Sequence, residues 1–325
     1  MQKNTTDEGN MVPIKNLQAI EAAVKGAPVM RMAVACAEDP ATIHAVAKAA
    51  VNGLMKVVLI GHKEKIIELV NGFDSKFLEQ SEIVHVEDET ETAHVAVQMV
   101  HAGKADALMK GLIGTATFMK AILDKNDGLL PKGNLLTHVA VMDIPSYPKL
   151  LLVSDAAIIP TPDVNDKVKM LNYNVDIAHV LGIEKPKVAL ISAAEKINFR
   201  LQSSIDAAVI KAMADRHQIV GAIVDGPLAL DVSLSEHHCQ IKGLDSPING
   251  SADILIFPNI ETANTFYKSA TILANGRTAA MVVGASVPIV LTSRADEDDT
   301  KYFSILLALL VASKGMASKC TDSDD

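Results

Sequence analysis

Ala105-Asp106-Ala107-Leu108-Met109-Lys110-Gly111-Leu112-Ile113-Gly114-Thr115-Ala116-Thr117-Phe118-Met119-Lys120 is the stretch on which the fold turns. The apolar run Ala105–Met109 reads as a buried strand that ends in Lys110-Gly111. A short loop with a second glycine, Gly114, then feeds a helix starting at Thr115. A strand, a glycine loop and a helix start together offer an anion backbone N–H groups, two threonine hydroxyls and the positive end of a helix. Lys110 and Lys120 add formal charge. The competing reading is an ordinary strand-to-helix turn with Thr115 as its cap.

The same alternation extends both ways along the chain. Further apolar, β-branched runs fall at Val29–Ala35, Lys56–Ile60, Ile83–Val86, His138–Met142, Leu150–Val153 and Ala156–Ile159. They continue at Val188–Ile191, Ile219–Val224, Asp253–Phe257, Ala279–Val283 and Val287–Thr292. Most lack polar alternation, the signature of strands covered on both faces in a parallel sheet. Helical stretches lie between them, among them 14–25, 40–52, 90–102, 163–181, 200–216, 260–275 and 298–313. This pattern predicts an α/β fold with right-handed crossovers. Two prolines in Ile144-Pro145-Ser146-Tyr147-Pro148 suggest a domain boundary, and 325 residues suggest about two domains.

Composition narrows the function. The net charge is −9 and aromatics are 3%, with no Trp. A nucleic-acid binder needs a basic face or stacking aromatics, so that class is excluded. No apolar run reaches the roughly 20 residues of a membrane span. The N-terminus lacks the basic and apolar parts of a signal peptide. Cys36, Cys239 and Cys320 are odd in number and widely spaced, so the expectation is a reduced, cytoplasmic protein. Nucleotide P-loop, Rossmann glycine, nucleophile-elbow and zinc-helix motifs are missing from the sequence. His237-His238-Cys239 beside Glu236 hints at a metal, but a solvated helix end or loop accounts for it, and no metal is expected.

Chemistry-bearing residues gather at several strand ends. Thr292-Ser293-Arg294-Ala295-Asp296 closes the run Val287–Leu291. The chain holds five arginines, and one at a strand's carboxyl end suits a phosphate because its fork matches two oxygens. Ser293 can donate to a developing oxyanion. Equally, Ser293 or Asp296 can cap the next helix while Arg294 pairs with the acidic run behind it. Asp225-Gly226-Pro227 and Phe257-Pro258-Asn259 mark two further strand ends. Asn264 and Lys268 follow one helical turn apart. Several polar strand ends together point to one cleft.

Taken in order, Met109-Lys110-Gly111-Leu112-Ile113-Gly114-Thr115-Ala116-Thr117-Phe118, Ser192-Ala193-Ala194-Glu195-Lys196-Ile197-Asn198, Asp225-Gly226-Pro227-Leu228, Phe257-Pro258-Asn259 and Thr292-Ser293-Arg294-Ala295-Asp296 with Thr300-Lys301 resemble the phosphate acetyl/butyryltransferase family. The resemblance runs from about residue 29 to 312 and is nearest to the butyryltransferase branch. It implies two α/β/α sandwich domains around a cleft, similar to isocitrate and isopropylmalate dehydrogenases. Residues 1–147 plus 292–325 would form the first domain, and 148–291 the second, which carries the dimer contact. The implied reaction is acyl-CoA plus phosphate giving acyl phosphate plus CoA, by direct transfer in a ternary complex. No tightly bound cofactor is implied; coenzyme A is substrate and product. The implied partners are acyl-CoA, phosphate and acyl phosphate, and the implied setting is the fatty acid metabolism of a cytoplasmic homodimer or higher homo-oligomer.

The resemblance also implies site roles. Ser293 would stabilise the oxyanion and Arg294 hold the phosphoryl group. Lys110, Gly111, Thr115, Thr117 and Lys120 would bind phosphate. Asp225, Pro258, Asn259, Asn264 and Lys268 would bind CoA. In the acetyl branch an aspartate lies seven residues after the serine; here that place holds Thr300, and Asp296 is the substitute base. A four-carbon or branched acyl group is expected, with acetyl as the alternative. Two other classes are weighed. A metal-dependent, nicotinamide-linked decarboxylating dehydrogenase needs clustered carboxylates and several arginines, which five scattered arginines do not supply. A non-catalytic CoA-binding protein would not need intact Lys110-Gly111 and Thr292-Ser293-Arg294 segments.

Overall fold

A computed structural model describes residues 13–73, 75–292 and 298–315. In chain order the first half runs α1 (Leu17–Lys25), β1 (Met30–Ala35), α2 (Pro40–Val51), β2 (Met55–Gly61), α3 (Lys63–Val70), α4 (Ser75–Glu79), β3 (Ser81–His85) and α5 (Glu89–His101). It continues with β4 (Ala107–Lys110), α6 (Thr115–Ile122), β5 (Thr137–Asp143) and β6 (Leu151–Ser154). The second half comprises α7 (Val164–Val180), β7 (Lys187–Ile191), α8 (Gln202–Asp215), β8 (Ile223–Leu228), α9 (Leu230–Leu234) and α10 (Glu236–Lys242). Then follow β9 (Ile254–Ile256), α11 (Ile260–Leu273), β10 (Arg277–Val283), β11 (Ile289–Val290) and α12 (Asp298–Ser313).

Among the described residues the strands form one eleven-stranded sheet, ordered β3-β2-β1-β4-β11-β10-β5-β6-β9-β7-β8. It is α/β as expected, but mixed. The block β3-β2-β1-β4-β11 is parallel, and so is β6-β9-β7-β8. Between them β10 runs antiparallel to both β11 and β5, and β5 runs antiparallel to β6. For the β5–β6 and β10–β11 pairs the cause is connection length. Seven residues (144–150) join β5 to β6 and five (284–288) join β10 to β11. A parallel return needs a crossover of a dozen or more residues, so these short links force hairpin-like turns. The two-proline stretch therefore turns the chain within one sheet.

Eleven of the twelve apolar runs contain strands. The exception is Ala156–Ile159, which is loop. The Asp155 carboxylate accepts from the Ala157 and Ile158 amides at 2.7 and 2.8 Å, removing both donors from any ladder. The Asp225-Gly226-Pro227 stretch is also not a strand end: β8 continues to Leu228, with a register shift against β7.

Helix starts follow their side chains. Asp39, Asp88, Asp163 and Asn259 cap α2, α5, α7 and α11 by accepting a first-turn amide. The core is densest around α12, which is buried from Lys301 to Val311 and packs against β10, α2 and α1. One apolar cluster links Val34 of β1, Val141 of β5, Val188 of β7 and Leu307 of α12, so both parallel blocks share a core. Each such large side chain contributes roughly 1.5–3 kcal/mol.

Candidate active site

The site forms where β4, β6 and β11 end. Met109 and Lys110 close β4 inside the sheet, and Lys110 remains buried at 7% exposure. Its ammonium donates to the Gly111 and Ile113 carbonyls at 3.2 and 3.1 Å, so the charge sits over the glycine loop. Glycine is required at 111: a Cβ there would lie 2.2 Å from the Cys36 carbonyl oxygen. The close approach lets Gly111 and Leu112 donate to the Ala35 and Cys36 carbonyls, each at 2.8 Å. Glu89, at the start of α5, accepts from the Gly114 amide at 2.6 Å.

These bonds correct one expectation. The amides of 111, 112 and 114 are committed and do not face an incoming anion. The donors left at this corner are the first-turn amides of α6 at Thr115, Ala116 and Thr117, ahead of the helix's own ladder. The ladder begins with Phe118 donating to Gly114.

Asp155 organises the opposite wall. This buried carboxylate accepts from the Thr137 hydroxyl and the His138 amide, both at 2.8 Å, besides the Ala157 and Ile158 amides. Ser154 beneath it donates to the His138 carbonyl and accepts from Asn174. Asn264 of α11 donates to the Ala156 carbonyl at 2.9 Å. The third wall is Leu291-Thr292, just past β11. Lys110, Ile113, Gly114, Thr115, Ala157, Leu291 and Thr292 together enclose a cavity of about 440 Å³. Its lining combines an ammonium, hydroxyls and a helix start with the apolar side chains of Ile113, Ala157 and Leu291. An anion and a short hydrocarbon group can therefore sit side by side.

The sequence-level assignments divide as follows. Lys110 and Thr115 line the cavity and Gly111 shapes its floor. Thr117 and Lys120 lie further along α6, and Lys120 is exposed. Ser293, Arg294 and Asp296 lie outside the described residues. Thr300, in the first turn of α12, gives its carbonyl to Ser304. Asp298 and Asp299 approach His44 and Lys48 of α2 at 3.4 and 3.7 Å. None of the five CoA assignments lines the cavity. Asn259 is the α11 cap, its side-chain oxygen accepting from the Thr262 amide and hydroxyl. Lys268 lies 5.2 Å from the centre of the Tyr267 ring. Asp225 accepts from Ser246 at 2.6 Å, and Pro258 borders a cavity of about 10 Å³ beside Lys167 and Ser203. Asn264 alone of the five reaches the site wall, through Ala156.

Sequence reasoning missed Asp155, Ala157 and Leu291. The available signal was an aspartate straight after a four-residue apolar strand, read instead as an interruption between two strands. The 236–239 stretch forms no three-ligand group among the described residues. Cys239 faces inward, its thiol donating to the Val232 carbonyl. Cys36 lies beside the glycine loop, and burial, with Glu38, Glu89 and Asp88 nearby, pushes its thiol up to about 11, which disfavours the thiolate.

Residues 79–309 match the family described as "Phosphate acetyl/butaryl transferase". The chain belongs to this family and is a phosphate acyltransferase. Among its relatives, phosphate butyryltransferase from Clostridium beijerinckii is 41% identical over 92% of this chain and 99% of its own. Phosphate acetyltransferase from Thermotoga maritima is 40% identical over 87% of this chain and 95% of its own. The crystal structure of a branched-chain phosphotransacylase from Enterococcus faecalis superposes with a TM-score of 0.76 at 31% identity, covering 87% of this chain and 99% of that one. No helix among the described residues is long and apolar enough to cross a membrane.

Proposed function

We propose that the chain moves a four-carbon or branched short acyl group between the thiol of coenzyme A and inorganic phosphate, by direct attack in a ternary complex. One observation supports this most: a 440 Å³ cavity pairs the Lys110 ammonium and the α6 start with apolar Ile113, Ala157 and Leu291. The polar side suits phosphate. The apolar side suits an acyl chain longer than acetyl. Direct transfer needs positioning and oxyanion stabilisation rather than a covalent intermediate.

In this reading Ser293 donates to the tetrahedral oxyanion, Arg294 grips the phosphoryl oxygens and Asp296 takes the thiol proton when CoA attacks. Lys110, Thr115, Thr117 and Lys120 draw phosphate towards the site, and Gly111 permits the loop that aims Lys110. Asp225, Pro258, Asn259, Asn264 and Lys268 serve CoA, with Asn264 tied to the site through the 155–158 loop. The two units, 1–147 with 292–325 and 148–291, flank the cleft in the manner of isocitrate and isopropylmalate dehydrogenases. The protein works in the cytoplasm as a homodimer formed through the second unit. Support for that interface comes from Phe199, Val220, Ile241, Ile272 and Leu273, all more than two-thirds exposed.

The test is phosphate-dependent CoA release from acetyl-, butyryl- and isobutyryl-CoA by the purified protein, with Ser293→Ala alongside. Highest turnover on four-carbon thioesters, reduced by orders of magnitude in the variant, is the expected result. Highest turnover on acetyl-CoA would keep the mechanism and overturn the chain-length assignment. Filling the apolar side sharpens this: Ala157→Leu should lower the butyryl-to-acetyl ratio of kcat/KM by about 10-fold or more, since one or two methylenes are worth about 1–3 kcal/mol.

A further inference from the structure

We propose that His62, Glu64 and His85 form a site for a divalent transition-metal ion, with zinc as its best-suited occupant, separate from the acyl-transfer cavity. His62 follows β2 and precedes α3, while His85 ends β3. The parallel register pairs Gly61 with His85, so two adjacent strand ends hold the imidazoles together. One ligand atom from each of the three residues lies within 4.8 Å of the other two. The His62 Nδ1 atom is shielded from solvent and has no hydrogen-bond partner, and Glu64 Oε2 stands 3.4 Å away. At zinc's ligand distance of about 2.0–2.1 Å, two donors 3.4 Å apart subtend roughly 110°, the tetrahedral angle. Two imidazoles with one carboxylate also match the donor set that selects zinc and its neighbours over magnesium or calcium.

His85 completes the set from the other strand. Its ring stands edge-on to that of His62, with centres 5.6 Å apart. Its Nδ1 accepts from the Lys63 amide at 3.2 Å, so a lone pair already points towards the start of α3. An ion takes that lone pair, and the exposed Lys63 amide turns to water. The rest of the closure is a small rotation of an exposed side chain.

The surroundings favour a cation. His62 borders a cavity of about 190 Å³ that also holds Glu38, Glu87 and Glu89 against one lysine, Lys65. Three carboxylates make it a poor place for phosphate or CoA and a good one for a metal. Glu87 Oε1 lies 3.8 Å from His85 Nε2, the ring nitrogen turned away from the ion, where it can orient the imidazole, and water completes the ligand set. The Glu38 carboxylate accepts from the His62 amide at 2.9 Å and steadies the first ligand. In the sequence the trio is His-x-Glu with a second histidine 21 residues on, brought together by the pairing of β2 with β3.

Calorimetric titration of the untagged full-length protein with zinc tests the assignment, supported by the visible spectrum of the cobalt(II) form. The expected result is one ion per chain, micromolar affinity and a tetrahedral cobalt spectrum. Affinity should fall about 10-fold or more in His62→Ala and in His85→Ala, and stay unchanged in the His237→Ala/His238→Ala double variant. Far-ultraviolet dichroism and acyltransferase turnover at wild-type levels confirm that the variants are folded, with His85→Gln as a gentler second variant. Absence of saturable binding, a smaller loss in His85→Ala and His85→Gln, or loss of binding in the 237/238 variant would each overturn the proposal.

Discussion

Asp155 shows how one buried charge sets a site. Four donors converge on it, two from β5 and two from the loop that carries Ala157. Asp155→Ala leaves the buried Thr137 and His138 donors without an acceptor and frees the Ala157 and Ile158 amides that shape the loop. We expect a loss of about 3 kcal/mol or more in urea denaturation, with a fall in kcat/KM as Ala157 drifts. Cys36 gives a second expectation. With its thiol raised to about 11, alkylation of the native protein at pH 8 should proceed far more slowly at Cys36 than in the unfolded chain, as peptide mapping after iodoacetamide would show. At this scale the sequence was legible where chain direction alone decides the outcome: Lys110, Gly111 and Thr115 follow from a strand entering a glycine turn. It was not legible where a side chain meets distant backbone. Nothing local tells Asn259, which caps its own helix, from Asn264, which reaches a carbonyl 108 residues away.

Helices α7 and α8 are joined by a buried ion pair: Lys167 donates to Asp206 at 2.5 Å, and Gln202 adds a further hydrogen bond. Removing one partner strands the other. Lys167→Met should cost about 3–5 kcal/mol, while the Lys167→Met/Asp206→Leu double variant should recover most of it in chemical denaturation. Helices α1 and α12 meet through Tyr302, whose hydroxyl donates to the Glu21 carboxylate at 3.0 Å. Burial, then Glu21, raises the phenol to about 12. Because the folded value lies above the unfolded one of about 10, this contribution is complete below pH 10 and is lost as pH rises towards 12. Tyr302→Phe should therefore cost about 1 kcal/mol at pH 8 and progressively less at pH 11 and above. Most elements could be read from the sequence because buried parallel strands are apolar throughout and the long helices between them keep their period. The short helices α3, α4, α9 and α10 could not, since five to eight residues hold too few turns to show a period. The antiparallel pairing of β5 with β6 depends on connection length, and that of β5 with β10 on contact between distant segments, neither of which apolar patterning reports.

At the scale of the whole molecule, the sheet is closed by the part of the chain that comes last. β11 sits between β4 and β10, and α12 packs on β10, α2 and α1. Truncation after residue 286 should therefore yield insoluble protein rather than a trimmed but active enzyme, as expression and centrifugation would reveal. The α/β class and the joining of distant segments at one site could be anticipated from ordered strand ends. The single continuous sheet could not, because it depends on two short turns, at 144–150 and 284–288.

The late position of β11 has a consequence for synthesis. A ribosome delivers β1 to β4 long before their interior neighbour exists, and must translate the whole of β5 to β10 in between. Until residue 290 emerges, the edge of β4 stays open, displaying the unpaired backbone on which wrong strands dock. Nascent chains of this enzyme should thus need shelter for most of their elongation, and rare codons in the last forty positions would prolong the exposure most.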